Sequence, residues 1–451
     1  MTSPPLAPDL TALRAKVTTA SPAVAWKAIR ELVLYGGDDA LELADEFAAA
    51  TDVPTEKLLK LWKKAPDPDA FARLVLADAF VREGRTGLEL RKRESLEGVR
   101  HLTSLRTLKL DECKKLRDLS GLATLTGLEE LDMQGAKAVT DLSPLAGLTA
   151  MRSLNLRDCH AVTDVSPLLG MRNLRILNLM STGVRSVAGF GTAFPELRSL
   201  DLTWCARLDD LSPLSGLREL VTLRVYCKEV DSVAGLRDLD SLAELGLHCA
   251  RLKTLDGLAG LPALRSLWLT ASDGLTSLDG LGHHPRLIEL ALPKTALPDL
   301  RPLSGLPALT KIEISGYQYL TSLDGLEGHP SISRVEMAYA RTIEDFSALF
   351  AMAALRELNV RGLSQLDDLS PFAGLRALER LEIGSMEDLR TLDGLADLPS
   401  LRSVRLDYCR SLVDVDALLA LPALEEVEVG WCPALPDATL AVLEARGLLK
   451  R

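Results

Sequence analysis

The chain has 451 residues, of which 47% are hydrophobic and 4% aromatic, and its formal net charge at pH 7 is −11. This length allows several domains or one long repeat array. The acidity is concentrated in residues 309–451, which hold 23 acidic and 14 basic side chains. Such a field disfavours nucleic acid and anionic membranes as partners of that end. It either speeds the approach of a basic protein or only aids solubility.

Residues 1–85 contain no repeat and are predicted to form an α-helical N-terminal domain or cap. Ser21-Pro22 and Asp67-Pro68 are pairs at which helices commonly begin. Apolar periodicity then predicts four helices, over residues 22–35, 38–50, 54–65 and 68–83. The segment either covers the open end of a repeat array or acts as a separate signalling module, and the sequence leaves both readings open.

A degenerate capping repeat over residues 86–104 precedes fifteen regular copies, which occupy residues 105–436. The motif Leu-x-x-Leu-x-Leu, first seen at Leu105, Leu108 and Leu110, returns every 22 or 23 residues. Alternation of apolar and polar residues predicts a short strand, and the apolar residues that follow at every third position favour a tight turn or 3-10 segment. Because one unit cannot bury its own leucines, neighbours must stack. Residues 437–451 are predicted to form a C-terminal helical cap.

The repeats resemble the leucine-rich repeat family, in particular its short-repeat class, which includes internalins and the phosphatase-regulatory-subunit type. This resemblance covers about residues 88 to 436. It implies an α/β solenoid, a horseshoe with a parallel β-sheet on the concave face and short 3-10 or turn segments on the convex face. Proteins of this family usually bind partners on the concave face.

All seven cysteines occupy the family's Asn/Cys position just after the strand. That position needs a small inward side chain that satisfies backbone groups, which a reduced cysteine can do. There is no CxxC motif and the number of cysteines is odd, so a disulfide framework or a metal site is disfavoured. No cofactor and no metal are predicted.

The pattern Asp-x-Ser-Pro, as at Asp141 to Pro144, recurs in the turn that follows the strand. We interpret it as structural, with the serine capping a helical turn and proline at the first helical position. In the Leu-Asp-Gly variants, as at Asp279, the aspartate is predicted to fill the cap.

We find no catalytic constellation in the sequence. The motifs GxxxxGK[ST], HExxH and GxSxG are absent. His284 and His329 replace leucines of the repeat and are interpreted as packing substitutions. Some bacterial leucine-rich repeat proteins carry ubiquitin-ligase domains with a catalytic cysteine, but every cysteine here lies in the repeat ladder. The prediction is that the protein is not an enzyme.

Bulky rings are grouped on a few repeats, although the chain has only 19 Trp, Tyr and Phe residues. Four successive repeats place one at the concave surface or its rim, and a weaker group follows near the C-terminus. Exposed Trp and Tyr are frequent interface hot spots. The alternative is that the rings lie flat over strand edges as packing. The predicted partner-binding residues are Trp204, Tyr226, His248, Trp268, Tyr339, Tyr408 and Trp431.

The leading hypothesis is a non-enzymatic protein-binding scaffold that captures a protein partner on the concave face. The alternative is a bacterial defence or signalling sensor whose helical N-terminal domain transmits recognition. No stretch reads as a transmembrane helix, and the first residues, Met1 to Pro8, lack signal-peptide features. Seven core thiols fit a reducing compartment, so a cytoplasmic location is expected. The Ala, Leu, Arg and Asp bias is a compositional hint of a bacterial source.

Overall fold

A computed structural model of the chain describes residues 9–293, 297–315, 320–363, 366 and 368–450. The first eight residues, on which the signal-peptide prediction rests, lie outside the described residues. The chain divides into two compact units, Met1–Cys205 and Ala206–Arg451.

The first unit begins with helices that match the predicted ones closely. They are α1 (Leu10–Arg14), α2 (Pro22–Tyr35), α3 (Asp38–Ala50), α4 (Thr55–Trp62), α5 (Pro68–Phe71) and α6 (Ala77–Arg82), with a π-helical turn at Ala72–Leu76 between the last two. Asp67 caps α5 as predicted, because its carboxylate accepts the amide of Ala70 at 2.9 Å. Ser21 makes no such side-chain bond, so proline alone marks the start of α2. Helix α1 was not predicted.

The helices pack directly against the degenerate repeat. The indole of Trp62 donates to the carbonyl of Pro68 at 2.9 Å, and the guanidinium of Arg93 lies 5.0 Å from the indole ring centroid. Gly98 adopts φ +84°, and a Cβ there would lie 2.6 Å from Cβ of Ala72. A glycine is therefore required at this contact between the repeat and the helices.

Six parallel strands follow in the first unit, each paired with its sequence neighbour. The buried leucines align across them, as Leu108 with Leu131. The intervening segments are short 3-10 turns, except for one turn of helix α7 (Phe190–Ala193). The strands are β1 (Gly87–Arg91), β2 (Thr107–Asp111), β3 (Glu130–Asp132), β4 (Ser153–Asn155), β5 (Ile176–Asn178) and β6 (Ser199–Thr203).

The second unit continues the same pattern of parallel neighbours. It ends in helix α9 (Asp437–Ala445) and a short unpredicted strand that pairs with the last repeat; α8 (Ser347–Phe350) replaces one 3-10 turn. The strands are β7 (Thr222–Tyr226), β8 (Glu244–Leu247), β9 (Ser266–Trp268), β10 (Glu289–Ala291), β11 (Lys311–Ser315), β12 (Arg334–Ala338), β13 (Glu357–Arg361), β14 (Arg380–Gly384), β15 (Ser403–Asp407), β16 (Glu426–Val429) and β17 (Leu449–Lys450).

The buried cysteines are inward-facing, and the thiols of Cys113, Cys159, Cys205 and Cys409 donate to backbone carbonyls of the preceding repeat, which agrees with the predicted role of this position. The thiol of Cys159 donates to the carbonyl of Met133 at 3.3 Å, and that of Cys205 to the carbonyl of Leu179 at 3.2 Å. Burial raises the pKa of Cys159 to about 12, so its thiol stays protonated and inert. Ser272 has the same role in its repeat, where its hydroxyl donates to a strand carbonyl at 3.1 Å.

The prediction for the Asp-x-Ser-Pro turns assigned the capping role to the wrong residue. The carboxylate of Asp141 accepts the Ser143 amide and hydroxyl, both at 2.8 Å. The serine is thus the first residue of the 3-10 turn and a donor, because a carboxylate two residues upstream is the stronger acceptor. In the Leu-Asp-Gly turns the roles also differ from the prediction, since the amide of Asp279 donates to the hydroxyl of Ser277 at 2.9 Å.

Candidate binding face

The open face of the repeat sheet carries the candidate site. We define the open face as the strand side chains that alternate with the buried leucines and therefore point away from the core. On β9, Ser266 and Trp268 belong to the open face, whereas Leu267 is fully buried. The residues at equivalent positions of neighbouring strands stand side by side in register.

The second unit brings together three of the predicted residues on the adjacent repeats of β7, β8 and β9. The ring centroids of Tyr226 and His248 are 5.5 Å apart, with the ring planes tilted by 49°. Trp268 lies mid-strand on β9, next to the repeat of His248. We call Tyr226, His248 and Trp268 the aromatic cluster. All three side chains are partly exposed, which makes them accessible to a partner.

His248 links the cluster to the next repeat. The hydroxyl of Thr270 lies 3.2 Å from Nδ1 and 3.4 Å from Nε2 of the imidazole. Burial lowers the pKa of His248, so the ring is neutral at pH 7 and presents an aromatic surface rather than a charge.

Trp204 belongs to the first unit and follows β6. About half of its side chain is exposed, at 52%. Its backbone adopts φ +59°, in the left-handed region. Tyr339 and Tyr408 occupy the same repeat position with φ +56° and +53°. Because this conformation costs a side-chain-bearing residue about 1–2 kcal/mol, backbone preference does not explain large rings here.

The second predicted group divides into a pair and a separate ring. Tyr408 and Trp431 lie on adjacent repeats with ring centroids 5.8 Å apart, and the guanidinium of Arg410 lies 5.2 Å from the Trp431 centroid. Tyr339 lies three repeats before Tyr408 and packs against Gly362, where a Cβ would lie 2.3 Å from Cδ1 of its ring. Its side chain is also 44% exposed, so a role of Tyr339 in binding stays a prediction.

Ion pairs cover the open face beyond the aromatic cluster. Lys311 pairs with Glu313 and also lies 3.5 Å from Glu336. Arg334 bridges Glu336 at 2.7 Å and Glu357 at 3.3 Å. These carboxylates are paired with basic side chains of the sheet, so the open face of β11 to β13 carries mixed charge.

Sequence reasoning missed the small and acidic neighbours of Trp268. Gly246 and Ala291 pair with it on either side, and Glu244 and Glu289 both pair with Ser266 of the same strand. The signal was available, because aligning the repeats at their leucines places these residues in the same two columns.

The described part of the chain contains no group of three or more His, Cys, Asp or Glu side chains arranged to hold a metal ion. No helix there is both long and apolar enough to span a bilayer. His284 is buried and its two ring nitrogens face the carbonyls of Leu261 and Leu281 at 3.2 and 2.7 Å, as expected for a packing residue.

Comparisons with known proteins agree with this architecture. No protein-family model and no curated protein matches the sequence. Among solved structures, the leucine-rich repeat protein LIC12759 of Leptospira interrogans superposes with a TM-score of 0.54 at 16% identity, covering 83% of this chain and 91% of that chain. A complex of TLR13 with ssRNA13 superposes with a TM-score of 0.58 at 18% identity, covering 81% of this chain and 60% of that chain. The internalin InlF of Listeria monocytogenes is 22% identical, covering 83% of this chain and 93% of that chain, with a TM-score of 0.39.

The first two superpositions, together with parallel strands that recur every 22 or 23 residues, show the fold. This chain therefore has the leucine-rich repeat fold, with a helical N-terminal region before the repeats.

Proposed function

We propose that this protein is a non-enzymatic scaffold that captures a protein partner on the open face of its repeat sheet. The observation that carries the proposal is the aromatic cluster on three adjacent repeats. Its rings are partly exposed, in a chain that has few aromatic residues. Large rings lose little conformational entropy on binding and bury much area, which suits them to anchor an interface.

The surroundings of the cluster favour a protein over a nucleic acid. The complex of TLR13 with ssRNA13 has the same fold, so the fold alone does not choose between them. Phosphate binding requires basic side chains around the stacking rings. Trp268 instead has Glu244 and Glu289 on the two adjacent strands. Arg224, paired with Gly246, is the basic residue of this region on β7.

We propose that the N-terminal helices serve as a cap rather than as a signalling module. Support comes from the contact of Trp62 and Ala72 with Gly98, which covers the end of the repeats. Removing residues 1–85 then lowers the solubility and stability of the repeats. A truncated chain that stays soluble and binds its partner, but loses a cellular output, would favour the sensor alternative instead.

We also propose that the protein works in a reducing compartment. The support is that all seven cysteines are free and buried and that ladder thiols donate to backbone carbonyls as protonated groups.

The function is tested by capture from the lysate of the native host, followed by titration of the purified partner. Tyr226→Ala and Trp268→Ala should each weaken binding by about 30-fold, as expected for hot-spot residues. Tyr35→Ala is the matched control, because Tyr35 is an exposed aromatic residue on α2, at 43%. Unchanged affinity in both cluster variants, with an unchanged thermal midpoint, would contradict the proposal.

A further inference from the structure

Trp268 lies in a gap of the open face that its small neighbours leave. The residues paired with it are Gly246 on β8 and Ala291 on β10. A Cβ built on Gly246 would lie 4.0 Å from Cε3 of Trp268 on one side and 4.0 Å from Cγ of Arg224 on the other, so both side chains flank the glycine. Neither paired residue has a side chain larger than a methyl group, and the indole is partly exposed. The ring therefore presents apolar surface on the open face, and we call it the Trp268 platform.

Two carboxylates stand beside this platform. Glu244 and Glu289 both pair with Ser266, two residues before Trp268, so all four side chains lie on the open face. Strand spacing puts each glutamate Cα about 8 Å from that of Trp268, within reach of a shared ligand. Hydroxyl donors hold the carboxylates, Thr222 to Glu244 and Ser266 to Glu289, each at 3.3 Å.

These two glutamates differ from the other glutamates of the open face in the second unit. On β11 to β13 the carboxylates of Glu313, Glu336 and Glu357 are all in ion pairs with basic side chains of the sheet. Between residues 206 and 450, where the chain is described, neither Glu244 nor Glu289 has a Lys or Arg nitrogen within 4.0 Å. Lys311 pairs in register with Glu289, but its ammonium group contacts Glu313 and Glu336 instead. The carboxylates of Glu244 and Glu289 can therefore accept a cation from outside the chain.

We propose that Trp268, Glu244 and Glu289 bind an arginine side chain of the protein partner. This inference rests on the proposed function and specifies the side chain of the partner that the open face recognises. A guanidinium is planar and weakly hydrated, so it stacks on an indole face and still donates to carboxylates at its edge. An ammonium is compact and strongly hydrated and gains less from the ring. Arg224 places one positive charge on the β7 side, which weakens but does not cancel the attraction of the two carboxylates for the partner's arginine.

The test uses the full chain labelled with 5-fluorotryptophan, with the Trp268 fluorine resonance assigned by Trp268→Phe. The probe is the peptide acetyl-Gly-Ser-Arg-Ser-Gly-amide. It should shift the Trp268 resonance saturably, and the same peptide with neutral citrulline, or with lysine, should bind about fivefold more weakly. Arg224→Ala should strengthen binding of the arginine peptide.

The variant Glu244→Gln/Glu289→Gln should weaken binding by about fivefold or more. The control Glu42→Gln/Glu97→Gln makes the same change in net charge at two exposed residues of the first unit and should bind as the parent chain does. Equal binding of arginine, lysine and citrulline peptides would overturn the proposal. So would an equal loss in the control variant, or an oligonucleotide that shifts the Trp268 resonance equally with and without the glutamates.

Failure of this inference is distinguishable from failure of the proposed function. If the captured partner loses affinity in Trp268→Ala but not in the double glutamine variant, the scaffold stands and the arginine site is wrong. If Trp268→Ala itself has no effect on capture, the aromatic cluster is not the anchor.

Discussion

Gly274→Ala tests how closely the repeats stack in the second unit. Gly274 lies in the turn after β9, and its backbone does not need a positive φ. A Cβ added there would lie 2.5 Å from the carbonyl oxygen of Ala250 and 2.8 Å from that of Leu252, both in the preceding repeat. Both neighbours are backbone atoms, so no side chain can rotate away.

Two opposing effects determine how Gly274→Ala changes the free energy of unfolding. Replacing glycine by alanine restricts the unfolded chain and stabilises a protein by about 0.4–1 kcal/mol where the site has room. Here the shorter contact must lengthen from 2.5 Å to at least 3.0 Å. Forcing such movement in a packed structure typically costs about 1–3 kcal/mol. We therefore expect a net loss of about 1–2 kcal/mol in the free energy of unfolding.

Urea denaturation measures this loss, and Gly260→Ala is the matched control. A Cβ on Gly260, in a turn of the same unit, would meet no atom within 4 Å. The control should be neutral or slightly more stable. Native-state hydrogen exchange should locate the damage at β8 and β9 rather than at β14, because repeats interact only with their neighbours. Equal stability of the two variants would refute the close backbone stacking.

Three further predictions concern the core. Burial lowers the pKa of His284, so the unfolded state binds more protons than the folded state as the pH falls through about 6.5. The stabilising contribution of neutral His284 is therefore complete above that pH and is lost below it. His284→Leu should reduce this loss of stability in acid denaturation curves. Ser272→Ala leaves a buried carbonyl and the Cys249 amide without their partner and should cost about 1–3 kcal/mol in urea, whereas Ser272→Cys should retain most of the stability. Trp62→Ala should cost about 3–5 kcal/mol and expose the first repeat to proteolysis, and unchanged proteolysis would argue against the cap.

The sequence predicted the repeats and the helices well because both depend on periodic burial. Each Leu-x-Leu alternation became a strand, and the predicted helix over residues 22–35 is α2, Pro22–Tyr35. The cysteine position was also predictable, since Cys159 lies at the same turn in a recurring motif.

What the sequence alone did not predict depends on hydrogen-bond direction and on neighbours across repeats. The capping role of Asp141 was assigned to Ser143 because both side chains suit the position, and only geometry shows which is the acceptor. The exposed surface of Trp268 depends on Gly246, which pairs with it from another strand and lies 22 residues earlier. Its role as a cation site depends on which glutamates form ion pairs within the sheet, and the sequence does not show those pairs. The contact of Tyr339 with Gly362, in the next repeat, was likewise not predictable from the pattern of aromatic residues.

If the aromatic cluster anchors the protein partner, the partner covers it in the complex. Hydroxyl-radical footprinting of the full chain with and without its captured partner tests this most directly. Oxidation of Tyr226, His248 and Trp268 should fall severalfold in the complex, because hot-spot side chains lose solvent, while oxidation of exposed Tyr35 on α2 should not change. Undiminished oxidation of all three cluster residues in a saturated complex would contradict this role of the cluster.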